Sequence, residues 1–125
     1  MSPARLLAIS TLIEAVTGIA LIALPGEVAL LLLGQGLSDG GLAVARLTGI
    51  ALLCLAVAGW IDRMEGVHGA AFQALLVYNV LAALYFFRLG MGGALTGILL
   101  WPATALHAVL GTLFVIAWLA RQPLD

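Results

Sequence analysis

Charged residues cut this chain into four apolar stretches, each close to the length a helix needs to cross a bilayer. The stretches fall at about 5–24, 41–61, 67–87 and 96–119. A helix rises about 1.5 Å per residue, so roughly 20 residues cross a hydrocarbon layer about 30 Å thick. Inside that layer the backbone must satisfy its own hydrogen bonds, and helices do so. Composition removes the alternatives. Hydrophobic residues make up 64% of the chain and charged residues 9%. Soluble domains carry about 45–50% and about 25%. A water-borne globule of 125 residues cannot hide so much apolar surface, and a disordered chain would not contain it. The expected fold is an all-α membrane protein, a single antiparallel bundle of four transmembrane helices over residues 1–125.

The connections are less regular. The last apolar stretch, 89–120, would make a helix of about 48 Å. Its start, Gly90-Met91-Gly92-Gly93, therefore reads as loop, with the span beginning near Thr96. Pro102 lies inside that span and cannot donate to the carbonyl of Ile98, which predicts a kink. Between the first two spans, Val28 to Leu33 is apolar but too short to cross. A short interfacial helix or re-entrant turn, bounded by Gly26 and Gly34, is expected there. Glu14 sits in the middle of the first span, where the apolar core of a cleaved signal peptide is normally uncharged. The segment is therefore expected to stay as a helix.

Net charge is −1, from five arginines against six acids, with no lysine. That balance offers no basic field for nucleic acid. With the N-terminus inside, Arg5, Arg63 and Arg121 fall on the inner side and Arg88 on the outer, so the positive-inside rule favours both termini inside. Trp60, Trp101 and Trp118 fall near segment ends, as interfacial aromatics do. The single cysteine, Cys54, excludes an internal disulfide and reads as a buried small hydrophobe.

Ionisable groups in a span are costly and usually face the bundle interior. Glu14, Arg46, Asn79 and His107 are therefore the candidate residues for a ligand or proton site. Counted along their helices, Glu14 and His107 both lie about 15 Å deep and Asn79 lies near the midplane, whereas Arg46 lies only about 7.5 Å deep. Side chains lean toward the N-terminus of their own helix, so Glu14 and Arg46 lean apart. A Glu14–His107 contact is better matched than a strained Glu14–Arg46 pair. The ordinary reading of such groups is structural, as hydrogen bonds that fix which helix faces meet. The functional reading is a midplane site for a proton or a small, quinone-like ligand. His68 belongs at the inner end of the third span and His107 near the centre of the fourth, so one chain does not offer two axial ligands to a haem. No metal set is expected, and no cofactor can be named.

Small residues recur at Gly93-Ala-Leu-Thr-Gly97, at Ala45 and Gly49 with Gly59, and at Ala108 and Gly111, which favours close helix approach. No phosphate-binding loop, dinucleotide fingerprint, HExxH or GxSxG motif is present.

The run Tyr78-Asn79, then Trp101-Pro102 with Leu106-His107, together with Glu14 and Arg46-Leu-Thr-Gly49, resembles uncharacterised small four-helix bacterial inner-membrane proteins. These are broadly DoxX-like tetraspan proteins. The resemblance covers nearly the whole chain. It implies the fold and a bacterial inner membrane, and it singles out the same four residues without implying an activity. The leading functional expectation is an accessory or scaffold subunit without catalytic activity, docking to larger membrane machinery or to itself through small-residue helix faces. A midplane ligand or proton site, or a small oligomeric transporter, is the alternative.

Overall fold

A computed structural model describes residues 1–120. Five α-helices run in order: α1 (Pro3–Ala23), α2 (Pro25–Leu33), α3 (Asp39–Asp62), α4 (Ala70–Gly92) and α5 (Leu100–Leu119). A 3-10 turn, Gly66–His68, precedes α4. No strand occurs among the described residues. The helices α1, α3, α4 and α5 are long and apolar enough to cross a membrane, and α2 is the short helix between the first two. Their outer faces are apolar too. Leu12, Val16 and Ile19 on α1, and Val44, Leu47 and Ile50 on α3, are all exposed. A patchwork of that extent needs acyl chains around it. The fold is that of a multi-pass membrane protein.

Local chemistry fixes the ends. Ser2 caps α1, its hydroxyl accepting from the Arg5 N–H at 3.4 Å, with Pro3 opening the first turn. Ser38 does the same for α3 through Gly41. The start of α4 has only Gly69 as its cap residue, and Asp62, the last residue of α3, fills the role. Its Oδ2 accepts from the Ala71 N–H at 2.9 Å. Gly34 and Gly93 end α2 and α4 with φ of 77° and 69°, which glycine adopts without a Cβ penalty.

Three expectations about boundaries need correction. Gly90, Met91 and Gly92 are helical, and α4 runs to Gly92 instead of stopping near 87. The smallness of Gly90 is used for packing, since a β-carbon there would stand 2.8 Å from the Trp101 ring. The last helix starts at Leu100, not Thr96, so Gly93 and Gly97 do not share a helix face. Pro102 then falls in the first turn of α5, where its missing N–H has no helical partner to lose, and no kink is needed.

The residues before α5 are occupied otherwise. The N–H groups of Thr96 and Leu99 donate to the carbonyls of Leu33 and Leu31, at 3.1 and 2.9 Å. The connection thereby caps the end of α2. A side chain at Gly97 would run into the Leu31 and Leu32 backbone.

The bundle is built from two tight pairs, α1 on α3 and α4 on α5. In the first, Gly18 and Gly49 face each other; a β-carbon at Gly49 would stand 2.6 Å from the Gly18 carbonyl oxygen. Gly59 takes the methyl of Thr11 in the same way. In the second pair Gly111 lies against Val80 and the Asn79 backbone. The pairs meet over an apolar core of Leu6, Leu7, Val67, Phe72, Leu75, Leu110 and Phe114. Phe72 and Phe114 meet edge to face with ring centroids 4.8 Å apart, a contact worth about 0.5–1.5 kcal/mol beyond the area it buries.

Candidate functional site

Above that core the bundle interior turns polar. Ser10 and Glu14 lie one helical turn apart and so share a face of α1. Their relative exposures are 0% and 1%. Asn79 on α4 is 0% exposed and His107 on α5 is 8% exposed.

The Asn79 side chain is fixed at both ends. Its Nδ2 donates to the Leu75 carbonyl at 2.8 Å. That leaves Oδ1, which only accepts, facing His107 Nδ1 at 2.9 Å. Nδ1 therefore carries the proton of this contact. The imidazole is held from its sides as well. Tyr78 meets it edge-on with centroids 5.5 Å apart, and Phe86 lies tilted at 5.6 Å. Tyr78 also sets its hydroxyl beside the Glu14 carboxyl group. One tyrosine thus connects the acid of α1 to the histidine of α5.

Two polar atoms in this cluster are left over. Glu14 Oε1 and Ser10 Oγ are buried and have no hydrogen-bond partner. The other buried hydroxyls look after themselves: Thr11 donates to the Ala8 carbonyl at 3.0 Å and Thr104 to the Leu100 carbonyl at 2.7 Å. Both are ordinary ways of neutralising a hydroxyl in a dry helix.

The structure brings Glu14, Asn79 and His107 to one level, and Arg46 stays outside. The inward residues of α3 are Gly49, Leu52, Ala56 and Gly59. Arg46 falls off that stripe and is exposed. Its lean toward the start of α3 carries it toward the membrane surface, away from Glu14. Direct Glu14–His107 contact is replaced by Tyr78 packed between them. Cys54 also falls off the α3 stripe and is exposed, a correction to its reading as a buried small residue. His68 is exposed in the 3-10 turn beyond α3, far along the chain axis from His107. Among the described residues no group of three His, Cys, Asp or Glu side chains stands ready for a metal ion.

Two residues of the cluster lay outside the candidates drawn from sequence, Tyr78 and Ser10. Ser10 carried a signal, being one turn from Glu14. Tyr78 carried only its adjacency to Asn79. Two concavities, of about 210 and 610 Å³, lie at the bundle ends, one against Ser2, Leu6 and Ala117 and the other against Phe87, Arg88 and Leu95. Neither is lined by a residue of the cluster. No known protein family, curated protein or solved structure matches this chain.

Proposed function

We propose that this chain is a membrane-embedded proton-binding protein in which the Glu14 carboxyl group takes up and gives back a proton. Tyr78 is its hydroxyl neighbour, and the Asn79–His107 pair fixes the face of α4 and α5 against which it works. The observation that carries the reading is Glu14 Oε1, a carboxyl oxygen buried inside a span with no hydrogen-bond partner. Ionisable groups at this depth are rare and mark proton or ion handling. A quinone-like headgroup finds less support, because admitting one would require the helices to part.

Arg5 and Arg63 lie at one end of the bundle, and Arg88 with the outward-leaning Arg46 toward the other, so the inside N-terminus rests on Arg121 joining the first group. Arg121 lies outside the described residues. The likeness of Glu14, Arg46-Leu-Thr-Gly49 and Trp101-Pro102 to DoxX-like chains supports a bacterial inner membrane.

The test is infrared difference spectroscopy on lipid-reconstituted protein stepped in pH. A carboxyl band that comes and goes with pH, is lost in Glu14→Gln and shifts in Tyr78→Phe is the expected result. A spectrum in which Glu14→Gln matches the parent overturns the reading.

A second reading, an accessory subunit without catalysis, has one observation in its favour. Arg46 is exposed on a span, where a charged side chain ordinarily faces protein or water. Copurification from mild detergent tests it. A chain that stays alone under crosslinking counts against it.

A further inference from the structure

A carboxylate inside a span needs hydrogen-bond donors on its oxygens, because an ionised group taken out of water holds its charge only when it is partnered. The interior around Glu14 offers few. On α4 both arms of the Asn79 amide are committed, one to the Leu75 carbonyl and one to His107. On α5 the Thr104 hydroxyl is spent on the Leu100 carbonyl, and the His107 Nδ1 proton on Asn79. The inward residues of α3 are Gly49, Leu52, Ala56 and Gly59, and those of α2 are Pro25 and Ala29. Neither helix presents Glu14 with a side-chain donor or a titratable group. On α1 itself Thr11 donates to the Ala8 carbonyl. Tyr78 is the titratable group beside the carboxyl group, and Oε1 is still left without a partner.

One donor remains. Ser10 is 0% exposed, and its Oγ has no partner. Among the buried hydroxyls it is the exception, since Thr11 and Thr104 both turn back onto their own helices. Ser10 and Glu14 stand at positions i and i+4 of α1, a spacing that puts β-carbons about 5–6 Å apart on one face. A long side chain on a helix covers the turn before its own α-carbon, so Glu14 leans over Ser10. Thr17 lies on the side from which Glu14 leans away, and it is only half-buried. Two unpaired oxygens therefore share one turn of α1. The serine can donate, the ionised carboxylate can only accept, and rotation about one side-chain bond re-aims the hydroxyl.

We propose that Ser10 is the second donor to Glu14: its hydroxyl turns onto Oε1 when the carboxyl group loses its proton, and lets go when the proton returns. This rests on the proton-binding reading given above. Ser10 keeps its own proton throughout. The covalent bond that breaks and re-forms is the carboxyl O–H, and the serine changes only its rotamer. Ser10 is thus a positioning residue that acts on the proton through Glu14. A hydrogen bond to an ionised group is roughly twice as strong as a neutral one, which makes the contact follow the charge on Glu14. Tyr78 from α4 and Ser10 from α1 together stand in for the countercharge that Arg46, exposed on α3, does not supply.

The test is the pH-stepped infrared spectrum of lipid-reconstituted Ser10→Ala and Ser10→Cys. Losing a donor to the ionised form favours the protonated one, so the midpoint of the carboxyl band is expected to move to higher pH. The move should be about one pH unit or more in Ser10→Ala, a roughly tenfold change in proton affinity. It should be smaller in Ser10→Cys, whose thiol is a weak donor. Ser10→Ala strands no partner, so the variant is expected to fold as the parent does. A serine that serves packing alone would leave the midpoint in place. An unmoved midpoint, or one at lower pH, overturns the inference and leaves the proton reading standing. A double-mutant cycle of Ser10→Ala with Glu14→Leu, unfolded in mixed micelles at acid and at alkaline pH, reads the contact without the band. Coupling that is larger at alkaline pH supports the donor role, and no coupling, or equal coupling at both, overturns it. A parent with no carboxyl band sinks the proton reading whichever way the cycle falls.

Discussion

His107 Nδ1 and Asn79 Oδ1 hold each other across the α4–α5 interface at 2.9 Å, and the second arm of the same amide is tied to the Leu75 carbonyl. The imidazole orientation is therefore set by α4, not by the helix that carries it.

Breaking that pair from one side leaves a buried polar group alone. Asn79→Leu is expected to destabilise the bundle by about 1–3 kcal/mol, and His107→Leu by a comparable amount. The double variant should lose less than the sum. Unfolding in mixed detergent micelles, run as a double-mutant cycle, measures the coupling. Additive losses would mean that the two side chains do not depend on each other.

Glu14 is expected to behave in the opposite way. Its Oε1 has no partner, while the Tyr78 hydroxyl would lose the carboxyl group beside it, so the two effects oppose each other and Glu14→Leu should change stability by no more than about 1 kcal/mol. The same change should abolish the pH-dependent carboxyl signal. A loss of more than about 2 kcal/mol on this substitution would make the carboxyl a structural fastening.

The two helix crossings should differ in tolerance. Gly49→Ala drives a methyl to 2.6 Å from the Gly18 carbonyl oxygen, a backbone atom with nowhere to go. Gly111→Ala meets the Val80 side chain at 3.2 Å, which can give. The first is expected to cost about 1–3 kcal/mol, in the range of overpacked cores, and the second clearly less. The same detergent titration ranks them, and an equal ranking would mean that α1 and α3 can slide apart at no cost.

Much of this architecture was legible in the amino-acid order. Four spans and a short helix between the first two follow from where Pro25-Gly26, Asp62-Arg63 and Arg88 interrupt the apolar runs. That Glu14, Asn79 and His107 share a level follows from counting residues along those spans. Rotation about each helix axis does not follow. These helices are apolar on every side, so no periodic stripe says which face is inward. That is why Arg46 and Cys54 could be placed in depth but not in direction, and why Tyr78 stayed hidden beside Asn79. Pro102 and Gly90 misled for a related reason. Their local rules depend on where a helix starts, and the pairing of Thr96 and Leu99 with α2 sets that start.

Asp62 gives a test of a connection. Its carboxylate caps α4 through the Ala71 N–H. Asp62→Ala is expected to cost about 0.5–2 kcal/mol, the range for loss of a helix N-cap, and Asp62→Asn much less. Hydrogen exchange at the first turn of α4 reads the local part of that loss. Unchanged protection there would show that Gly69 alone suffices.

The pairing of α2 with the connection that follows α4 bears on how the protein is made. The carbonyls of Leu31 and Leu33 emerge from the ribosome early, and the amides that satisfy them, on Thr96 and Leu99, are translated only after two further helices. Until the final hairpin inserts, the short helix ends in open acceptors among the lipid headgroups, and truncated nascent chains should leave it exchanging freely. Completion of the bundle and closure of its α2 end are then a single late event in biogenesis.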